Sequence, residues 1–158
     1  MAVDYFLKID GVEGEAQDDK HKNEIQLLSF SWGGSQVSSV GAGMGSGAGK
    51  VDLSNFSVMK YMDKSSPKLF KAMCAGTHFN KASLTAVKSG AEGKHFLKVD
   101  FTELFVTSQQ ISASSEVPTE SVSFSYKSIK MEYSTQDEKG SLTTAGSVNY
   151  DVAKNVVS

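Results

Sequence analysis

Glu24-Ile25-Gln26-Leu27-Leu28-Ser29-Phe30-Ser31-Trp32-Gly33 alternates large and small side chains along its second half. Leu28, Phe30 and Trp32 are bulky and apolar, whereas Ser29, Ser31 and Gly33 between them are small. Successive side chains of a strand point to opposite faces, so the pattern predicts one strand over 24–33 with one face in the core. Its other face is smooth and polar.

Outward from this stretch the same period recurs. Tyr5, Leu7 and Ile9 share a face against Lys8 and Asp10, and 51–61, 82–88 and 94–107 read as further strands. In 119–135, Val122, Phe124 and Tyr126 have one parity and Ile129, Met131 and Tyr133 the other. A switch near Ser128 predicts a bulge or a corner. Val148, Tyr150 and Val152 form a last strand, and Pro67 and Pro118 stand outside strand interiors. One helix is expected, with Ser66 as N-cap, Pro67 in its first turn and Gly76 as left-handed C-cap. Leu69 with Met73, and Phe70 with Cys74, make its apolar stripe. The expected architecture is a single mainly β domain over 1–158: a β-barrel of two packed antiparallel sheets with one short flanking α-helix.

The connection 33–50 is long for a compact domain and carries glycine at Gly41, Gly43, Gly45, Gly47 and Gly49. Its composition suits a flexible spacer or a segment that orders on meeting a partner.

Composition narrows the function classes. The 158 residues are 39% hydrophobic and 22% charged, with a net charge of -2. All 16 basic residues are Lys, so the planar fork that reads phosphate and guanine is missing, and no nucleic-acid partner is expected. The single cysteine, Cys74, allows no intrachain disulfide and fits synthesis in a reducing compartment. Charges interrupt the apolar residues from Met1 to Asp10, so no cleavable signal peptide is expected, and no apolar run is long enough for membrane insertion.

No catalytic, metal or cofactor pattern emerges. Gly49-Lys50 resembles the end of a phosphate loop, but Met44 and Val51 stand where glycine and Ser/Thr are needed. Ala48 breaks the dinucleotide spacing that Gly43 and Gly45 begin. His21, His78 and His95 are scattered, and Asp18-Asp19 lacks the alternating ligands of a calcium loop. No serine occupies a Gly-x-Ser-x-Gly elbow, and Cys74 is expected on the buried helical stripe. No cofactor is expected and no enzyme activity.

Several stretches, taken in order, resemble the Hcp proteins of type VI secretion. They are Phe6-Leu7-Lys8-Ile9-Asp10-Gly11-Val12-Glu13-Gly14-Glu15, His21, Glu24-Ile25 and Phe30-Ser31-Trp32-Gly33. Lys60-Tyr61-Met62-Asp63-Lys64-Ser65-Ser66-Pro67, Gly76-Thr77-His78 and Pro118-Thr119-Glu120-Ser121 complete the match. Phe30 stands where that family often has Trp, Tyr150-Asp151 replaces a common Trp-Asp, and the family's frequent Arg near Ala86 and Val87 is missing.

The resemblance implies a tail-tube-like barrel that assembles as a homo-hexamer, the rings stacking into a tube inside a contractile sheath with a spike protein at its tip. Such a tube is exported from the bacterial cytoplasm and carries or shelters small effectors in its lumen. By the same resemblance Ser29 and Ser31 are lumen candidates. Gly34, Gln36, Val40, Gly41, Gly43, Met44, Gly45, Gly47 and Gly49 are candidates for a loop that reaches the neighbouring ring. A phage-like tail-tube protein and a monomeric β-barrel ligand-binding module are the alternatives.

Overall fold

The computed structural model describes residues 2–40, 49–88 and 94–158. Its elements follow the order β1 (Val3–Ile9), β2 (Ile25–Leu27), β3 (Ser29–Ser31), β4 (Gly34–Ser35), β5 (Asp52–Leu53), β6 (Phe56–Tyr61) and α1 (Ser66–Ala75). The chain continues through β7 (His78–Lys88), β8 (His95–Ser112), β9 (Thr119–Ser125), β10 (Ser128–Gln136), β11 (Leu142–Asp151) and β12 (Val156–Val157). Among the described residues the protein is mainly β with one short helix, and all the strand pairings are antiparallel.

The hydrogen-bonded path is not a closed barrel. Ten strands form one sheet ordered β12-β11-β10-β8-β7-β1-β2, from which β9, β6 and β3 branch at β8. The branch arises because β8 is long enough to hold two partners in succession on its way. Leu97–Thr102 pairs with β10, and Phe105–Ser112 pairs with β9. At the change of partner Glu103 adopts φ 50, a left-handed conformation that bends the strand. The parity switch expected near Ser128 is the other side of this corner: Ser125 opposes Phe105 and Ser128 opposes Thr102.

The stretch 24–33 is two strands rather than one. Ile25 and Leu27 bury the odd positions while β2 pairs with β1. After Leu28, which is exposed, β3 pairs with β6 and turns Phe30 toward the core. A bend between the two partners reverses the parity, and Leu28 donates its backbone N–H to Met59 O at 2.8 Å. The expected strand over 51–61 likewise divides, at 54–55, while β7 and β8 run longer than their apolar alternation showed.

Phe56, Phe101 and Phe124 stack in the core, with centroids 4.6 Å apart for Phe56–Phe101 and 6.0 Å for Phe56–Phe124. The helix covers one end of this core through Leu69 and Ala72. Phe70 and Cys74 are exposed, so the buried stripe is narrower than expected and Cys74 is outside it. The N-cap is Ser65, not Ser66, whose hydroxyl is taken by a buried carboxylate described below. Gly76 closes the helix at φ 68 as its sequence position predicts. On the opposite face of β1, Phe6 stacks on His21 at 4.4 Å, and Phe6, Ala16 and Val87 make a second small apolar cluster.

Candidate functional site: a hydroxyl-lined sheet face

The four-stranded branch β3-β6-β9-β8 has an inner face of Phe56, Val58, Val122 and Phe124, all essentially excluded from water. Strand geometry then forces the alternate residues outward. Those residues line up in rows across the branch. Ser31 opposes Ser57, Ser57 opposes Ser123, and Ser123 opposes Ser108, giving a row of serines drawn from four strands. The Ser57 and Ser123 hydroxyls lie 2.9 Å apart, within hydrogen-bond range. The next row is Ser29, Met59, Ser121 and Gln110, and the one after it is Tyr61, Thr119 and Ser112.

None of these outward positions carries a charge. The two charged side chains of this part of the branch, Lys60 and Glu120, are turned inward and buried. They oppose each other across β6 and β9 and form an ion pair. The ammonium of Lys60 also donates to Asp63 Oδ1 at 3.0 Å and Ser66 Oγ at 3.3 Å. Ser66 Oγ donates to Glu120 Oε1 at 2.7 Å, and Gln109 Nε2 donates to Glu120 Oε2 at 2.9 Å. The donors of the ammonium and both carboxylate oxygens of Glu120 therefore have partners, as burial of charge requires. This network ties the start of α1 to β6, β8 and β9, fixing the sheet that presents the serine rows.

Ser29 and Ser31, expected on one polar face, are both exposed and both on this surface. Their neighbours Ser57, Ser108, Gln110, Ser121 and Ser123 were not foreseen. The signal was present in Phe56-Ser57-Val58 and Val122-Ser123-Phe124, which repeat the small–large alternation of Ser29-Phe30-Ser31.

Of the loop candidates, Gly34 is in β4, where it opposes Leu53, and Gly49 donates its N–H to Val37 O at 3.3 Å. The base of the long connection is thus a two-stranded arm that leaves the sheet where β3 ends, close to Ser31. Gln36 follows β4, and Val37 and Val40 are exposed. Gly41, Gly43, Met44, Gly45 and Gly47 lie outside the described residues. At the arm's root, Trp32, Val51 and Leu53 line an apolar cleft of about 210 Å³ with Ile129, Met131 and Tyr150.

Among the described residues no three His, Cys, Asp or Glu side chains are grouped to hold a metal ion, and no helix is long and apolar enough to cross a membrane. Residues 6–133 match the family model described as type VI secretion system effector, Hcp. The chain is 38% identical over 161 aligned residues to the protein hcp1 of Pseudomonas aeruginosa, covering 99% of each. A solved type six secretion system protein superimposes with TM-score 0.93 at 32% identity, over 99% of this chain and 100% of that one. Hcp1 from Salmonella typhimurium gives 0.80 at 35% identity, with the same coverage. The match runs from end to end of the chain and of these relatives, and the chain belongs to the Hcp family of type VI secretion proteins.

Proposed function

We propose that this chain is a non-catalytic ring subunit of the secretion tube, with the serine rows facing the lumen. The carrying observation is the face itself: three rows of outward side chains, drawn from four strands, that are mostly hydroxyls and amides and include no charge. A large apolar wall would hold passengers by the hydrophobic effect, and a charged wall would retain passengers of opposite sign. A neutral hydroxyl wall stays wet and releases what it carries. Small effectors would be sheltered there and exported with the tube from the bacterial cytoplasm.

Ring closure has a structural basis in the same branch. Among the described residues β3 has a ladder on one side only, to β6, and 106–112 of β8 has one only, to β9. These edges bound the serine face on opposite sides. Joining one edge to the other edge of the next copy is a head-to-tail contact, which closes when its rotation permits. We place the arm and the connection 33–50 at the contact between stacked rings, the contractile sheath around the tube and the spike protein at its tip.

Size-exclusion with light scattering and negative-stain electron microscopy test this reading. Hexamer-sized rings with an open centre are expected. A stable monomer at high concentration overturns it in favour of a lone ligand-binding module, and turnover in a broad hydrolase screen overturns the non-catalytic assignment.

A further inference from the structure

We propose that Ser54, Asn55 and Tyr126 are positioning residues for ring stacking: they fix the direction in which the two-stranded arm leaves the sheet. The inference rests on the ring-and-tube reading. It concerns the arm's root and the body beneath it, and none of the three needs to touch another ring.

The strand ladder does not set that direction. Ser31 opposes Ser57 at the end of the β3–β6 ladder, and Gly34 opposes Leu53 at the start of the arm. Between these pairs the chain advances three residues on one side and four on the other, so the ladder is broken by an extra residue. Among the described residues the arm has no third strand, its sheet being β4 and β5 alone. Val51 and Leu53 rest one side of it on the core, but apolar contact is non-directional.

Hydrogen bonds gather at the break. Ser54 donates its N–H to Gly33 O at 2.8 Å, and its hydroxyl accepts from the Gly33 N–H at 2.8 Å and donates to Gly33 O at 3.0 Å. The Ser54 carbonyl accepts from the Tyr126 hydroxyl at 2.9 Å. That phenol is itself held, its ring packed on Phe101 with centroids 5.1 Å apart at the corner between β9 and β10. Asn55 Nδ2 donates to Thr107 Oγ1 at 3.2 Å, and Thr107 Oγ1 donates to Ser123 O at 3.0 Å. Thr107 is the extra residue of a bulge, since Val106 and Ser108 oppose the consecutive residues Phe124 and Ser123.

The root of the arm is thus bonded to the segment after β3, to the β9–β10 corner and to the β8 bulge. Hydrogen bonds are directional, and anchors on three elements restrict a swing that a broken ladder alone would permit. An arm already aimed loses less freedom on meeting its partner, so this clasp raises the affinity of stacking without adding a contact to it.

A nitroxide on Gln36→Cys reads the arm's mobility in isolated rings, with Cys74→Ser removing the exposed native thiol. Tyr126→Phe and Asn55→Ala should each sharpen its spectrum. In the unlabelled protein the pair together should raise the concentration at which tubes appear roughly tenfold, with ring size by light scattering unchanged. Ile9→Val, a core truncation in β1 of comparable cost to stability, should alter neither reading. A spectrum unchanged in both variants, or tubes weakened equally by Ile9→Val, overturns the clasp. A sharpened spectrum with tubes that form as readily as wild type's overturns its part in stacking and leaves the ring reading standing. A wild-type chain that forms no rings or no tubes overturns the ring-and-tube reading and the inference with it.

Discussion

Lys60 and Glu120, distant in sequence, face each other across β6 and β9 with 0% and 1% of their surfaces exposed. An ion pair this dry stabilises little over a well-packed apolar pair, but losing one member strands the other charge. Glu120→Ala should therefore cost about 3–5 kcal/mol, with a cooperative loss of α1 and the branch it is tied to. Lys60→Met combined with Glu120→Leu should recover much of that loss. Urea unfolding of the single and double variants checks both statements, and a double variant as weak as Glu120→Ala would contradict them.

The serine row makes a different demand. Ser31→Glu places a carboxylate on a face that carries no charge, at an exposed site where substitutions usually shift stability by no more than about 0.5 kcal/mol. Unfolding and ring size should be unchanged, whereas passenger retention should fall and become sensitive to salt. Co-purification of a small effector at low and high ionic strength measures this. Retention equal to wild type at both would remove Ser31 from the lumen wall.

How far the sequence disclosed these features follows from the range of the interactions behind them. Alternation is local, so the outward facing of Ser29 and Ser31 was legible. The division at Leu28 was not, because β2 and β3 take their partners from β1 and β6, and only that pairing reverses the parity. The row joining Ser31, Ser57, Ser123 and Ser108 is a property of register, which no single stretch contains. Ser66 looked like an N-cap because the residues that claim its hydroxyl, Lys60 and Glu120, come from two other elements. Their inward direction was nevertheless encoded: Lys60 shares parity with Phe56 and Val58, and Glu120 with Val122 and Phe124.

Removing 41–49 tests the stacking role proposed for the long connection. Among the contacts of the described residues, this deletion takes the Gly49–Val37 hydrogen bond and spares the pairing of Gly34 with Leu53. The melting temperature should stay close to wild type, while tubes visible by electron microscopy become shorter or disappear. Unchanged tube assembly would place the stacking contact elsewhere.

Gly14 is required for space rather than for a special backbone angle. A Cβ there would come within 2.4 Å of Glu24 O and 2.6 Å of Ile25 Cα, both backbone atoms that cannot turn aside. Gly14 N donates to Asn23 O at 2.7 Å, so the crowded segment runs directly into β2. Gly14→Ala should destabilise by about 1–3 kcal/mol, the usual cost of overpacking. Hydrogen exchange should show the loss concentrated in 14–27; a variant as stable as wild type would mean that the two segments part easily.

Tyr126 gives the alkaline limb of stability a specific origin. Burial raises its phenol above the ordinary value of 10.0, and its hydroxyl donates to Ser54 O at 2.9 Å. The unfolded chain therefore releases this proton at a lower pH than the folded one. Its contribution is fully present below pH 10.0 and declines as pH rises from there through the raised folded value. Tyr126→Phe loses the hydrogen bond, about 1 kcal/mol, at neutral pH but cannot lose anything further by ionisation. The stability gap between wild type and Tyr126→Phe should thus narrow above pH 10.0, measured by urea unfolding on both sides of that value. A gap that stays constant would show that Tyr126 ionises equally readily in the folded and unfolded chains.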